Sequence, residues 1–251
     1  MSDSVSRNRF PITSDRERGR PETDAASELR AQRIAVIVDD IGYDLTQVNE
    51  LIHIPELLTF AILPHCTYSI EAAERLHRAG KEILLHLPME PQDYPEKNPG
   101  EGALFVGMDD DTIKDVFFKN LRAVPYAVGV NNHMGSKFME DSHKLGVVFQ
   151  LLKQEKLFFV DSLTTGKSQG RTLAADLDLP FLARDVFIDR SGNFEETYKE
   201  FEEIIRSNKD RHKLIVIGHP YPSTISAIRM ATDRLRSEGI EIVKVSDLFE
   251  N

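Results

Sequence analysis

The chain has no tryptophan and one cysteine, Cys66. A single cysteine cannot form an internal disulfide, so the fold rests on its core rather than on cross-links. Basic runs are missing too. The 251 residues carry 31 Lys and Arg against 41 Asp and Glu, a net charge of −10. That balance offers a nucleic acid no basic footprint and argues against it as a partner. No apolar run approaches the roughly 20 residues that span a bilayer. The N-terminus lacks the apolar core of a secretion signal. As written, the chain reads as unexported and cytoplasmic; an upstream anchor would place it in the periplasm or cell envelope. The missing Trp counts against a long glycan cleft, because such clefts often use aromatic platforms. Tyr43, Tyr68, Tyr94 and Tyr221 are the available substitutes.

What the chain does have is an apolar content of 41%, enough for one large α/β domain. Residues 1–32 stand apart. They are rich in Arg, Asp, Glu, Ser and Pro, and only Val5, Phe10, Ile12 and Leu29 are bulky aliphatics or aromatics. Such a stretch cannot bury enough surface to offset its ordering entropy, which predicts a disordered tail. From Arg33 to Asn251, strand-like and helix-like segments alternate. The predicted strands are Ile34–Val38, Leu58–Ile62, Glu82–His86, Ala127–Asn131, Leu157–Val160, Phe181–Ala183, Leu214–Ile217 and Glu241–Lys244. The predicted helices are Ser69–Ala79, Asp110–Arg122, His143–Glu155, Phe194–Asn208 and Thr224–Glu238. Short apolar strands separated by helices point to a parallel sheet covered on both faces, open or closed as a barrel. In either form the chemistry belongs at the C-terminal ends of the strands.

Those ends are crowded with chemical groups. "VIVDD" ends in Asp39 and Asp40, and "EILLHLPMEP" brings His86 and Glu90. "GVNNHMGS" offers Asn131, Asn132 and His133, and "FFVDS" offers Asp161. "LARDVFID" carries Arg184, Asp185 and Asp189; "IVIGHP" carries His219. Each has an ordinary alternative. An Asp after a strand commonly caps the next helix, Asn131-Asn132 suits a turn, and a His before Pro can be a turn residue. His53, His65, His77, His143 and His212 fit surface or structural roles. The Asp39-Asp40 pair is harder to dismiss, since buried acids are costly unless paired or metal-bound. If Asp40 ligates a divalent cation, Asp39 is free to act as general base on the metal-bound water. His86 supplies an imidazole ligand. His219, expected from the far side of the barrel, is placed to protonate a leaving group.

Together, "VIVDDIGYD", "EILLHLPMEP", "GVNNHMGSKF", "FFVDSLTT" and "IVIGHP" resemble the divergent polysaccharide deacetylase family, over about Arg33 to Phe249. The resemblance implies a distorted (β/α) barrel of about seven strands. It implies that Asp39 is the base, Asp40 a metal ligand and His219 the acid. Asp161 is the implied partner of that acid, and Arg184 the candidate for orienting the base. The superfamily's His-x-x-x-His metal motif has no copy here. The matching stretch runs from His86 to Glu90, with Glu in the second position. Two residues are therefore open for the third ligand of a divalent metal, expected to be zinc: His133 and Glu90. Pro88 lies between His86 and Glu90 and favours His133.

Two functions stay open at this level. One is a metal-dependent hydrolase that removes acyl groups from amino sugars or peptidoglycan fragments, or from another small acylated substrate. The other is a non-catalytic envelope protein that binds carbohydrate or serves as a scaffold on the same barrel. Oligomeric state is not legible. Deleting residues 1–30 is expected to shift the melting temperature by no more than about 2 °C, because termini without buried contacts add little. A larger drop in a thermal melt would show that the segment packs on the domain.

Overall fold

The computed structural model describes residues 32–207 and 212–249. The tail expected over residues 1–32 lies outside them, except for Gln32, which opens the first strand. Among the described residues nine strands are present: β1 (Gln32–Ile41), β2 (Thr59–Ile62), β3 (Glu82–Met89), β4 (Gly129–Met134), β5 (Phe158–Asp161), β6 (Phe181–Ala183), β7 (Val186–Phe187), β8 (Lys213–Gly218) and β9 (Ile240–Ile242). Seven helices connect them: α1 (Leu45–Ile52), α2 (Ser69–Arg78), α3 (Asp110–Ala123), α4 (Ser142–Glu155), α5 (Gly170–Leu177), α6 (Phe194–Ser207) and α7 (Pro222–Ser237).

The strands pair in parallel in the order β6-β5-β4-β3-β2-β1-β8-β7, and β9 joins the start of β1. β6 and β7 stand at opposite ends of that order, yet only Arg184 and Asp185 separate them in the chain. So short a link reaches about 11 Å at most, so the sheet must curl until its edges meet. The Arg184 N–H donates to the Asp161 carbonyl and the Asp185 N–H to the Ile215 carbonyl, both at 2.9 Å. These two residues stitch β5 to β8. The result is the expected distorted (β/α) barrel, with two strands more than the seven the resemblance implied.

Alternation along the strands sorts the core into two layers. Ile34, Val36 and Val38 of β1 join the cluster under the helices. Ala35 and Ile37 join Ala61, Leu84, Val160, Ile215 and Ile217 inside the barrel. Val245 and Leu248, in and beside the last turn of the chain (Ser246–Phe249), pack into the same inner cluster. Glu82 holds that turn: its carboxylate accepts from the Thr59 hydroxyl at 3.0 Å and from the Ser246 N–H at 3.3 Å.

Three elements escape the periodic pattern. β7 is two residues long. α1 is eight residues with only Val48 and Leu51 buried, and it is started by Asp44, whose carboxylate accepts from the Thr46 N–H at 2.8 Å. α5 begins on Gly170, a poor helix former. Conversely, β1, β3 and β4 run two or more residues past their predicted ends. Asp39, Asp40, His86, Asn131 and His133 therefore sit on strands, not on the loops after them.

Phe159 is fully buried, with its ring 4.9 Å from that of Phe149. Phe159→Ala is expected to cost about 3–5 kcal/mol in urea unfolding. A loss below about 1 kcal/mol would mean that the cavity collapses and that this layer is loosely packed.

Candidate functional site

The same alternation decides which polar residues face the barrel mouth. Continuing the inward series, Asp39 follows Ala35 and Ile37, His86 follows Leu84, and His219 follows Ile215 and Ile217. Asn131 and His133 alternate with the outward Val130. Asp40 should point away from Asp39 on a regular strand. It does not, because β1 shifts register against β2 between Val38 and Ile41, and Asp40 takes φ 57°. A bulge of this kind re-aims side chains, and Asp is among the few residues that tolerate the left-handed region. Two adjacent acids thus reach one cavity.

Asp40, His86 and His133 converge there. Asp40 Oδ1 lies 3.0 Å from His133 Nδ1 and 3.3 Å from His86 Nε2, and the two nitrogens are 3.1 Å apart. A tetrahedral cation about 2.1 Å from three such atoms sets them about 3.4 Å from one another. Asp40 Oδ1 is buried and accepts no hydrogen bond. Lone pairs that converge this closely repel unless a cation or proton lies among them, so the donor set fits a divalent metal. One oxygen and two imidazole nitrogens suit zinc. Burial opposes charge on Asp40, but His133 and His86 outweigh it and hold the carboxyl far below the usual carboxylate range. Burial likewise opposes charge on His86, yet Asp39 and Asp40 dominate and push it up to about 9.

Asp39 stands beside this triangle, its Oδ2 3.7 Å from His86 Nε2. Burial raises Asp39 above the ordinary carboxylate range, although His86 and His219 pull it down. Asn131 donates to its Oδ1 at 2.8 Å. Arg184, expected to orient the base, instead donates to the carbonyls of Ser162 at 2.7 Å and Leu163 at 3.2 Å, with its guanidinium over the Phe187 ring. Asn131 is the residue that hydrogen-bonds Asp39. The turn reading of "NNH" hid it.

His219 enters from β8, which pairs directly with β1, Val38 opposite Gly218. It is thus next to the aspartates in the sheet, not across the barrel. Its Nδ1 lies 3.2 Å from Asp189 Oδ1, its backbone N–H donates to Asp189 Oδ2, and Thr224 donates to the same oxygen at 3.0 Å. Asp189 is therefore the partner of this histidine, and Asp161 is not. Asp161 falls on the outward parity of β5, whose Phe158 and Val160 face inward. Its carboxylate accepts from Ser168 Oγ at 2.5 Å and from the Leu163 N–H at 2.8 Å and so folds the following loop. Burial opposes charge on His219, but Asp189, Asp40 and Asp39 raise it above the usual histidine range.

Glu90 is excluded from the metal triangle by geometry. β3 stays extended through Met89, so four residues separate His86 and Glu90 by about 13 Å. Both Glu90 oxygens are engaged, one by Lys137 Nζ at 2.6 Å and the other by the Val106 N–H at 2.8 Å. His133 pairs across from Pro88 instead, close to His86. Of the remaining histidines, His65 bonds Asn120, His77 stacks on Tyr126 and His143 pairs with Asp110.

The triangle, Asp39, Arg184, Phe187 and His219 line a cavity of about 410 Å³. Exposed Tyr221 stands beside His219, ring to ring at 5.6 Å. Residues 36–249 match the family described as divergent polysaccharide deacetylase. The chain belongs to that family. Among its relatives, the uncharacterized protein YibQ of Escherichia coli (strain K12) is 34% identical over 225 residues, covering 89% of this chain and 69% of that one. The crystal structure of uncharacterized protein ATU2773 from Agrobacterium tumefaciens C58 superposes with a TM-score of 0.83 at 25% identity, over 87% of this chain and 89% of that one. A mutant of BA3943 from Bacillus anthracis, a CE4 family pseudoenzyme with restored enzymatic activity, shares the fold (TM-score 0.54, 15% identity, 88% of this chain and 68% of that one). Among the described residues of this deacetylase-family chain, no helix is long and apolar enough to cross a membrane.

His133→Ala is expected to lose bound metal, and Glu90→Ala to keep it at native stoichiometry, in elemental analysis after gel filtration. The reverse pattern would return Glu90 to the site.

Proposed function

We propose that this protein is a metal-dependent hydrolase that removes acyl groups from amino sugars or peptidoglycan fragments. The observation that carries this reading is the division of labour around one cavity. A three-atom cradle, buried at His86 and half-buried at Asp40 and His133, is flanked by an acid with a raised pKa, Asp39, and a histidine with a raised pKa, His219. A protein that only binds needs no such base and acid on either side of its cradle.

A divalent cation in the cradle, of the zinc type, supplies the Lewis acidity that polarises the acyl carbonyl and acidifies water. Asp39 takes a proton from the attacking water through Oδ2, the oxygen that Asn131 leaves free. The water oxygen bonds to the acyl carbon and the carbon–nitrogen bond breaks. His219 gives the proton from Nε2 to the departing amine, since its Nδ1 is held by Asp189. The products are a carboxylate and a free amino sugar. Phe187 and Tyr221 offer apolar faces for the sugar ring. Arg184 lines the same cavity with a positive charge and suits an anionic substituent on it.

The test is release of acetate from N-acetylglucosamine oligomers and peptidoglycan fragments by zinc-loaded protein. His219→Ala and Asp39→Asn are expected to lose about 10²–10⁴ in rate while keeping native zinc content. Full turnover in either variant would remove that residue from the mechanism. Tight sugar binding without any release would favour the binding or scaffold reading.

The rate is expected to peak between two pH limits. Asp39 must be ionised, so rate falls as pH drops through its raised pKa. His219 must be protonated, so rate falls again as pH climbs through a pKa above the usual histidine value of about 6.5. Asp189→Asn removes a charge that supports the imidazolium, and its alkaline limb is expected to move to lower pH. An unmoved limb would assign that limb to another group.

A further inference from the structure

Asn131 does more than touch the base. It is fully buried, and the β3–β4 register places it directly opposite His86. Its amide makes two bonds of 2.8 Å: Nδ2 donates to Asp39 Oδ1, and Oδ1 faces His86 Nδ1. These bonds are not independent. An ionised Asp39 can only accept, so it fixes the amide with its NH₂ toward Asp39. The amide oxygen must then face His86, and an oxygen can only accept. His86 must therefore carry a proton on Nδ1. In a neutral imidazole that leaves the lone pair on Nε2, the atom that faces Asp40 Oδ1 and His133 Nδ1 at 3.3 and 3.1 Å.

We infer that Asn131 is a positioning residue that sets His86 in its metal-ligating tautomer, reading its own polarity from Asp39. The base and the ligand are thereby wired through one amide. A flipped amide would offer an N–H to His86 Nδ1, move the proton to Nε2 and close the ligand position. This rests on the metal reading above and adds to it. Buried partners of a ligating histidine commonly fix its tautomer and basicity.

Two substitutions separate this role from mere packing. Asn131→Leu keeps the volume and loses both bonds. Asn131→Asp loses the donor but keeps the acceptor that His86 requires. Zinc affinity, measured by competition with a chromophoric chelator, is expected to fall about 10–100-fold in Asn131→Leu. In Asn131→Asp it is expected to stay within about threefold of native or to tighten. ¹⁵N-edited spectra of the zinc-loaded native protein and of Asn131→Asp are expected to show a slowly exchanging His86 Nδ1–H, absent from Asn131→Leu. Unchanged zinc affinity in Asn131→Leu, or equal losses in both variants, would overturn the inference while leaving the metal site standing. Failure of the native protein to bind zinc would overturn both.

Discussion

Side chains on a β-strand alternate between its two faces, and this constraint governs everything at the mouth of the barrel. Parallel strands in register keep one parity inward, so the interior layer of Ala35, Ile37, Leu84, Ile215 and Ile217 continues upward as Asp39, His86 and His219. The residues that fill the barrel and those that could do its chemistry are thus one series, apolar below and ionisable above. The same rule sends Asp161 outward to its loop and Asp189 inward to His219.

The exception to alternation is as informative as the rule. Asp40 would face the helices on a regular strand, where a lone carboxylate would be buried without a partner. The left-handed turn at Asp40 costs roughly 1–2 kcal/mol, and the register shift of β1 accommodates it. In return the carboxylate meets two imidazoles. Left-handed backbone recurs at the same rim at Met134, the last residue of β4, and at Leu163, just after β5. Strain gathered at strand ends around a cavity is characteristic of sites where geometry is imposed by the surrounding fold.

Buried charge at this rim is neutralised in a connected set rather than in separate pairs. Asp189 bonds His219, His219 lies 3.7 Å from Asp40, Asp40 meets His86 and His133, and Asn131 carries the connection from His86 to Asp39. Asp40 Oδ1, one corner of the triangle, is buried and accepts no hydrogen bond. An unsatisfied carboxylate oxygen beside two imidazole nitrogens is a donor set that fits a cation. The chain has no His-x-x-x-His motif, and His133 on the neighbouring strand supplies a second imidazole beside His86.

Much was legible in the sequence by itself. The apolar runs marked the strands, the acids and histidines after them marked the rim where ionisable groups gather, and the five motifs identified the family. That the Asp pair, His86 and His219 reach one rim followed from residue type and position, because a strand end fixes which rim a residue reaches. Which neighbour each residue meets could not be read in the same way. Asp189 and Asp161 both follow short apolar runs, and only parity within the folded sheet sends one inward and the other outward. Asn131 looks like a turn residue until β4 is seen to run on through Met134 beside His86. Arg184 and Asp185 look like a loop until β6 and β7 prove to be the two edges of one curled sheet. Residue type and local period are properties of the chain, whereas pairing depends on register between strands far apart in sequence, and a shift of one residue there reverses every contact.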